Sequence, residues 1–206
     1  MKERILKAAV GLFYKYGIKS VTMDDIAREI GISKKTIYQH FPDKDAIIEE
    51  VIRQELACEK EDMERMECEA TNPIDQVISA SRYIRTALTN VNPVLLYDLK
   101  KYHHKAWELF QSHKQQHIIK SIRRNLEQGI EQGLYRPDLN VDMLARLHIE
   151  QIEMGFDTSV FPPDRYNLVD VQLQFLHHFL RGLLTEKGFQ VYNQYVDQTA
   201  TEVKIQ

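Results

Sequence analysis

The segment from Thr22 to Lys44 restricts the fold more than any other part of the chain, because helix starts and stops crowd into it. Thr22, followed three residues later by Asp25, forms a capping-box pair that starts a helix. Ile26, Ala27 and Ile30 then give an apolar face at helical spacing. Gly31 comes next, the residue type that tolerates left-handed backbone at a helix end. Ser33 caps a second helix whose apolar positions are Ile37 and Phe41. Pro42 stops it, since the residue before a proline is driven out of helical geometry. Helix, glycine turn and second capped helix make a helix-turn-helix, a unit whose second helix suits the major groove of DNA.

The charges inside this unit point the same way. Lys34 and Lys35 fall in the first turn of the second helix, where the helix dipole already places partial positive charge. They oppose the helix by a few tenths of a kcal/mol each, on the order of such dipole effects. An arriving phosphate reverses that sign. Of the chain's 27 Lys/Arg and 30 Asp/Glu, residues 1–45 hold nine and six, a net of +3. The remainder holds 18 and 24, a net of −6. The amino-terminal end is therefore mildly basic and the rest acidic, a division hidden by the whole-chain charge of −3.

The rest of the chain reads as helix. Asp43 caps a long helix with Ile47, Ile48, Val51, Ile52 and Leu56 on its inner side, and the charged stretch from Glu59 to Glu69 reads as solvated. Thr71-Asn72-Pro73 breaks it. A further helix follows through Val77, Ile78, Tyr83, Ile84 and Leu88, and Asn92-Pro93 resets the chain. After Leu95, Leu96 and Leu99 a long helix runs from His104 to about Gln132, with Trp107, Phe110, Ile118, Ile122 and Leu126 on its apolar face and Gly133 ending it. Periodic runs from Met143 to Phe156 and from Tyr166 to Leu184 are separated by Pro162-Pro163. Alternating strand patterns bounded by hairpin turns are absent, so the expected class is all-α. The apolar runs are too short to span a membrane, the start with Lys2, Glu3 and Arg4 is unlike a secretory signal, and Cys58 and Cys68 lack a redox or zinc spacing. A cytoplasmic protein with reduced thiols is expected.

The segment from about Lys2 to Ile52 resembles the DNA-binding domain of TetR-family transcriptional repressors. The matching residues are Ala8, Ala9, Leu12-Phe13, Gly17, Thr22, Ile26-Ala27, Gly31, Ser33, Thr36, Tyr38, His40-Phe41 and Lys44. The resemblance implies a three-helix DNA-binding head over residues 1–45 and a larger helical effector-binding and dimerisation body over 46–206, with 197–206 as a flexible tail. It further implies a homodimer that pairs helices at about 141–156 and 165–184, a palindromic operator, and release from it when a small molecule binds the body. Half-site reading by two heads matches such an operator. Thr22, Ser33, Lys34, Tyr38, His40 and Lys44 match positions that contact phosphates, and their hydroxyl, ring N–H and ammonium groups are competent donors. Lys35, Thr36 and Gln39 are the candidates for base edges. Lysine donates to guanine, glutamine pairs with adenine, and the threonine methyl meets that of thymine. The family often has glycine at position 35 and tyrosine at position 39, so this chain departs from the pattern at two reading positions.

A helical body can enclose a pocket between its helices. Tyr83, Tyr97, His103, Trp107, Phe110 and His117 are candidate lining residues, although for each taken singly the core reading is the stronger. His113 and His117 share a helix face near His103 and His104, which raises a metal site or metalloenzyme as an alternative. Such a site needs a third ligand and a general base, and neither is evident, so no metal, cofactor or enzymatic activity is expected. A third reading, a DNA-binding protein without an effector or acting as an activator, is equally compatible with the head.

Overall fold

The computed structural model describes residues 1–203, with side chains described through residue 195. Of the tail expected at 197–206, residues 204–206 and all the side chains lie outside the described residues. Every regular element among those described is helical, as expected from the periodicity. The amino-terminal unit comprises α1 (Lys2–Tyr16), α2 (Met23–Glu29) and α3 (Lys34–Tyr38), followed by α4 (Lys44–Glu69). The body adds α5 (Pro73–Ala87), α6 (Val94–Tyr102), α7 (His104–His113), α8 (Ile119–Glu131), α9 (Val141–Gly155), α10 (Leu168–Leu183) and α11 (Glu186–Val203).

Side-chain caps fix most of these boundaries. Asp43 accepts from the Ala46 amide at the start of α4, Asn140 from Met143 at α9, and Asn167 from Val169 and Asp170 at α10. Asn72 accepts from Ile74 and Asp75, with Pro73 opening α5, where its missing N–H costs nothing. The long helix expected from His104 to Gln132 is present but not uniform. A π-helical turn, Lys114–Ile118, joins α7 to α8. It carries the buried Lys114, whose ammonium donates to Glu150 at 3.2 Å and to Glu153, both on α9. Burying a lysine demands such partners. Helix α11 was not anticipated past Leu184. Thr185 caps it through the Gly188 amide at 3.1 Å, and a glycine so early in a helix weakens the sequence signal. Gly188 is required there, since a Cβ would lie 2.1 Å from the Leu134 carbonyl.

Two apolar cores result. The first gathers Ile5, Leu6, Ala9 and Phe13 of α1, Ile26 and Ala27 of α2, Ile37 of α3 and Ile47, Ile48 and Val51 of α4, and takes in Leu99 and Ala106 from the body. The second joins α5, α8, α9, α10 and α11 through Ile74, Ile78, Leu126, Ile149, Leu180 and Tyr192. Tyr135 seals its end: the ring is 1% exposed and its hydroxyl donates to Asn125 Oδ1 at 3.0 Å. The Asn125 amide in turn donates to the Pro73 carbonyl and to Gln76. Gly129 makes room for that ring, because a Cβ there would sit 2.0 Å from it.

Two outcomes follow from this packing. Gly129→Ala must displace Tyr135, and is expected to lower stability by about 1–3 kcal/mol, the cost of overpacking, read from denaturant midpoints. His148, buried on α9 and stacked on Phe179 at 4.2 Å, has its pKa lowered from 6.5 to about 4 by burial. The fold therefore holds the neutral ring, and the unfolded chain takes up the proton first as pH falls. The stability from this site is complete above pH 6.5 and is lost as pH drops towards 4, in all about 3 kcal/mol. His148→Phe should flatten the acid side of the stability profile by about that amount, and an unchanged profile would contradict the assignment.

Candidate nucleic-acid interface and body cavity

Local hydrogen bonds set the geometry of the helix-turn-helix. Thr22 Oγ1 accepts from the Asp25 amide at 3.2 Å, while Asp25 Oδ2 accepts from the Thr22 amide at 2.9 Å. This completes the capping box, and the Thr22 bonds hold the Asp25 carboxyl below its ordinary pKa. Gly31 turns the chain with φ +67°, a left-handed conformation that suits glycine. Ser33 Oγ accepts from the Thr36 amide at 3.1 Å, and the two hydroxyls lie 2.9 Å apart. Helix α3 has only five residues, too short to persist alone, and the fully buried Ile37 pins it to the core.

With Ile37 inward, the opposite face carries the sequence-predicted contact residues. Lys35, Tyr38, Gln39 and His40 are all exposed, and among the described residues their polar tips make no hydrogen bond. Tyr38 is 48% exposed, so its ring does not pack beneath the helix. Gln39 lies at the C-cap of α3 and His40 in the turn beyond it. Lys34 pairs with Asp24 of α2 at 2.8 Å, which raises its pKa. Lys44 differs from the others. It is half-buried, donates to the Ile18 carbonyl at 2.5 Å, and has its pKa lowered by burial. It thus ties the start of α4 to the α1–α2 loop, with two ammonium hydrogens left for an external acceptor.

A partly open cavity of about 400 Å³ lies between α4, α5 and α6 and the helices α8, α9 and α10. Of the six residues proposed from sequence to line such a pocket, Tyr83 and Phe110 do so. The other four are not on its wall. Tyr97 is 51% exposed beside Tyr102, and His103 Nδ1 donates to the Asp45 carboxylate at 2.8 Å, tying α4 to the start of α7. Trp107 packs on Phe110 and under Lys100, and His117 lies against His113 with ring centroids 5.0 Å apart. Position along a helix places a residue near the centre of the body, but its azimuth decides what it faces. Among the described residues, no three His, Cys, Asp or Glu side chains gather as metal ligands.

Several wall residues escaped the sequence reading. Glu59, Met63 and Met66 lie in the part of α4 taken as solvated, and their spacing puts one face of that charged stretch on the cavity. Tyr14 reaches the wall from α1, and its hydroxyl donates to Glu55 of α4. Its backbone carbonyl accepts from the Asn92 amide at 2.7 Å, and the Lys19 amide donates to the buried Asp98 at 2.8 Å. The amino-terminal unit is thereby stitched to the body by polar bonds as well as by apolar contact. His148 and Gln172 contribute buried polar groups to a wall that is aliphatic and aromatic over most of its area.

Comparison with known proteins agrees with this architecture. The model for bacterial regulatory proteins of the tetR family matches residues 5–51, from within α1 to the first turns of α4. The HTH-type transcriptional regulator YvaF of Bacillus subtilis is 31% identical over 160 residues, covering 76% of this chain and 82% of that protein. A TetR-family transcriptional regulator from Agrobacterium tumefaciens superposes with a TM-score of 0.76 at 16% identity, over 89% of this chain and 97% of the other. The transcriptional regulator FadR of Bacillus subtilis, solved in complex with stearoyl-CoA, gives 0.69 at 19% identity, over 89% and 100% of the two chains. These two structures share the fold of head and body together. The chain belongs to the TetR family of bacterial transcriptional regulators.

Proposed function

We propose that the protein is a cytoplasmic repressor that binds a palindromic operator as a homodimer and leaves it when a small molecule fills the body cavity. The observation that carries this reading is the exposed surface of α3 and the turn after it, where Lys35, Tyr38, Gln39 and His40 face outward from a helix anchored by the buried Ile37. Residues 1–45 act as the reading head and 46–206 as the effector-binding and dimerisation body. Thr22, Ser33, Lys34, Tyr38 and His40 hold phosphates, and Lys44 joins them through its remaining ammonium hydrogens. Lys35, Thr36 and Gln39 read base edges. The ligand complex of the Bacillus subtilis FadR supports a small-molecule effector here, because that structure shares this fold.

For the dimer, α9 offers an exposed apolar stripe. Met143 is 67% and Leu147 50% exposed, and Met154 continues the row at helical spacing. Gly182 of α10 is exposed, with open space where a Cβ would stand, which permits close helix approach. Such a row suits burial against a symmetry mate.

Operator sequence and symmetry come from selection of bound sites out of random DNA. On the selected operator, Lys34→Ala should weaken binding to operator and random DNA alike and reduce the salt slope by about one. Gln39→Ala should cost about 1–3 kcal/mol at one base position only. Equal losses on both DNAs for both variants would refute the division into positioning and reading residues. Leu147→Asp should convert the dimer to monomer in analytical ultracentrifugation at micromolar protein, and a wild-type monomer would refute the dimer outright.

A further inference from the structure

We infer that the effector is an elongated apolar molecule ending in a single positive charge, such as an alkylammonium, with that charge seated beside Glu55 and Glu59. This rests on the reading of the cavity as the effector site. The wall along α4 runs from Ile52 to Met66, roughly 21 Å at the helical rise, so the space favours a long ligand. Its charge has one sign. Among the described residues no Lys or Arg lines the cavity, whereas Glu55, Glu59 and Glu153 do. Glu153 is compensated by the Lys114 ammonium. Glu55 has only a neutral donor, the Tyr14 hydroxyl. Glu59 lies 3.3 Å from His113 Nε2, which completes no hydrogen bond.

Glu55 and Glu59 stand one turn apart, so their carboxylates repel across a partly desolvated wall, where charges interact more strongly than in water. A cation relieves that repulsion, and a carboxylate or phosphate headgroup would add to it. The surrounding phenols register the same field. Burial, and then Glu59, Asp62 and Glu55, push the Tyr83 hydroxyl up to about 12, and Tyr14 is raised further by burial and by Glu55. Tyr14, Tyr83 and Phe110 add ring faces suited to an ammonium.

A second polar feature is independent of the acidic end. His148 is 8% exposed and lines the cavity, and its Nδ1 has no hydrogen-bond partner. Gln151 comes near enough to favour the charged ring slightly, but its Oε1 completes no hydrogen bond either. Burial keeps this ring neutral, so it offers a ligand a donor or an acceptor without supplying a cation. The acidic end is also where the DNA-binding unit meets the cavity, because Tyr14 belongs to α1. A ligand cation at Glu55 competes with the Tyr14 hydroxyl and loosens the tie between α1 and α4.

The test uses the full-length protein and three probes with the same chain, each below its micelle-forming concentration: decyltrimethylammonium, decanol and decanoate. Calorimetric titration should show the cation binding about tenfold more tightly than decanol, and decanoate weakest, as expected for one charge contact in a low-dielectric site. Glu55→Gln should bring the cation down to the decanol value. Glu59→Gln should reduce the preference in the same sense, and serves if the first variant does not fold. Decanoate binding as tightly as the cation, or a cation preference that survives both substitutions, overturns the charge assignment while leaving the cavity as a binding site. Absence of binding by all three probes overturns the cavity reading as well.

Discussion

The whole arrangement depends on α4 being one uninterrupted helix that runs from the first core to the wall of the cavity. Its first turns bury Ile47, Ile48 and Val51 among the residues that hold the helix-turn-helix, and its later turns present Glu55, Glu59, Met63 and Met66 to the cavity. A continuous helix transmits rotation and tilt along its length, because each turn is hydrogen-bonded to the next. The buried Leu99 and Ala106 widen that junction, so the first core does not close at residue 45 but extends into α6 and α7. Polar bonds fasten the same seam: Tyr14 to Glu55, His103 to Asp45, and Lys19 to Asp98. The head is therefore not free to reorient on its own.

How much of this was legible in the sequence varied with the range of the determining interactions. The caps at Thr22, Ser33 and Asp43 are local, each a side chain bonding an amide three residues away, and the structure has all three. The glycine turn at Gly31 is equally local. Cavity lining is not. Tyr83 and Phe110 were found because aromatic residues near the body centre face inward often, and Tyr97, His103, Trp107 and His117 miss the wall because tertiary packing sets their azimuth. Glu59 was hidden by a sound rule, that charge runs lie on solvated faces, and Glu55, just before that run, carries no local signal of its own. What the rule lacks is that a helix with a charged sequence still needs an inner face, and that Met63 and Met66 were marking it.

The π-helical turn shows a related limit. From Trp107 to Leu126 the apolar positions fit a single helix, and one widened turn is too slight a change for such spacing to detect. Its position carries meaning only beside α9, where the buried Lys114 meets Glu150 and Glu153. These are contacts between residues far apart in sequence. The ion pairs compensate Glu153 within the cavity wall and leave the acidic character concentrated at Glu55 and Glu59. A buried cation placed for structural reasons thus determines where the cavity is negative.

That concentration of charge bears on coupling between ligand and DNA. A ligand shifts a conformational equilibrium only through unequal affinity for the two states. At the apolar end of the cavity, contacts involve α8 and α10, which bury no side chain in the first core. Filling that end would discriminate poorly between head orientations. At Glu55 the wall includes Tyr14 of α1, so a group bound there competes with a contact whose existence depends on how α1 sits against α4. The head-proximal end is accordingly where a ligand can best tell one head position from another. A tight-binding molecule confined to the far end would occupy the cavity without favouring one placement of α1 against α4.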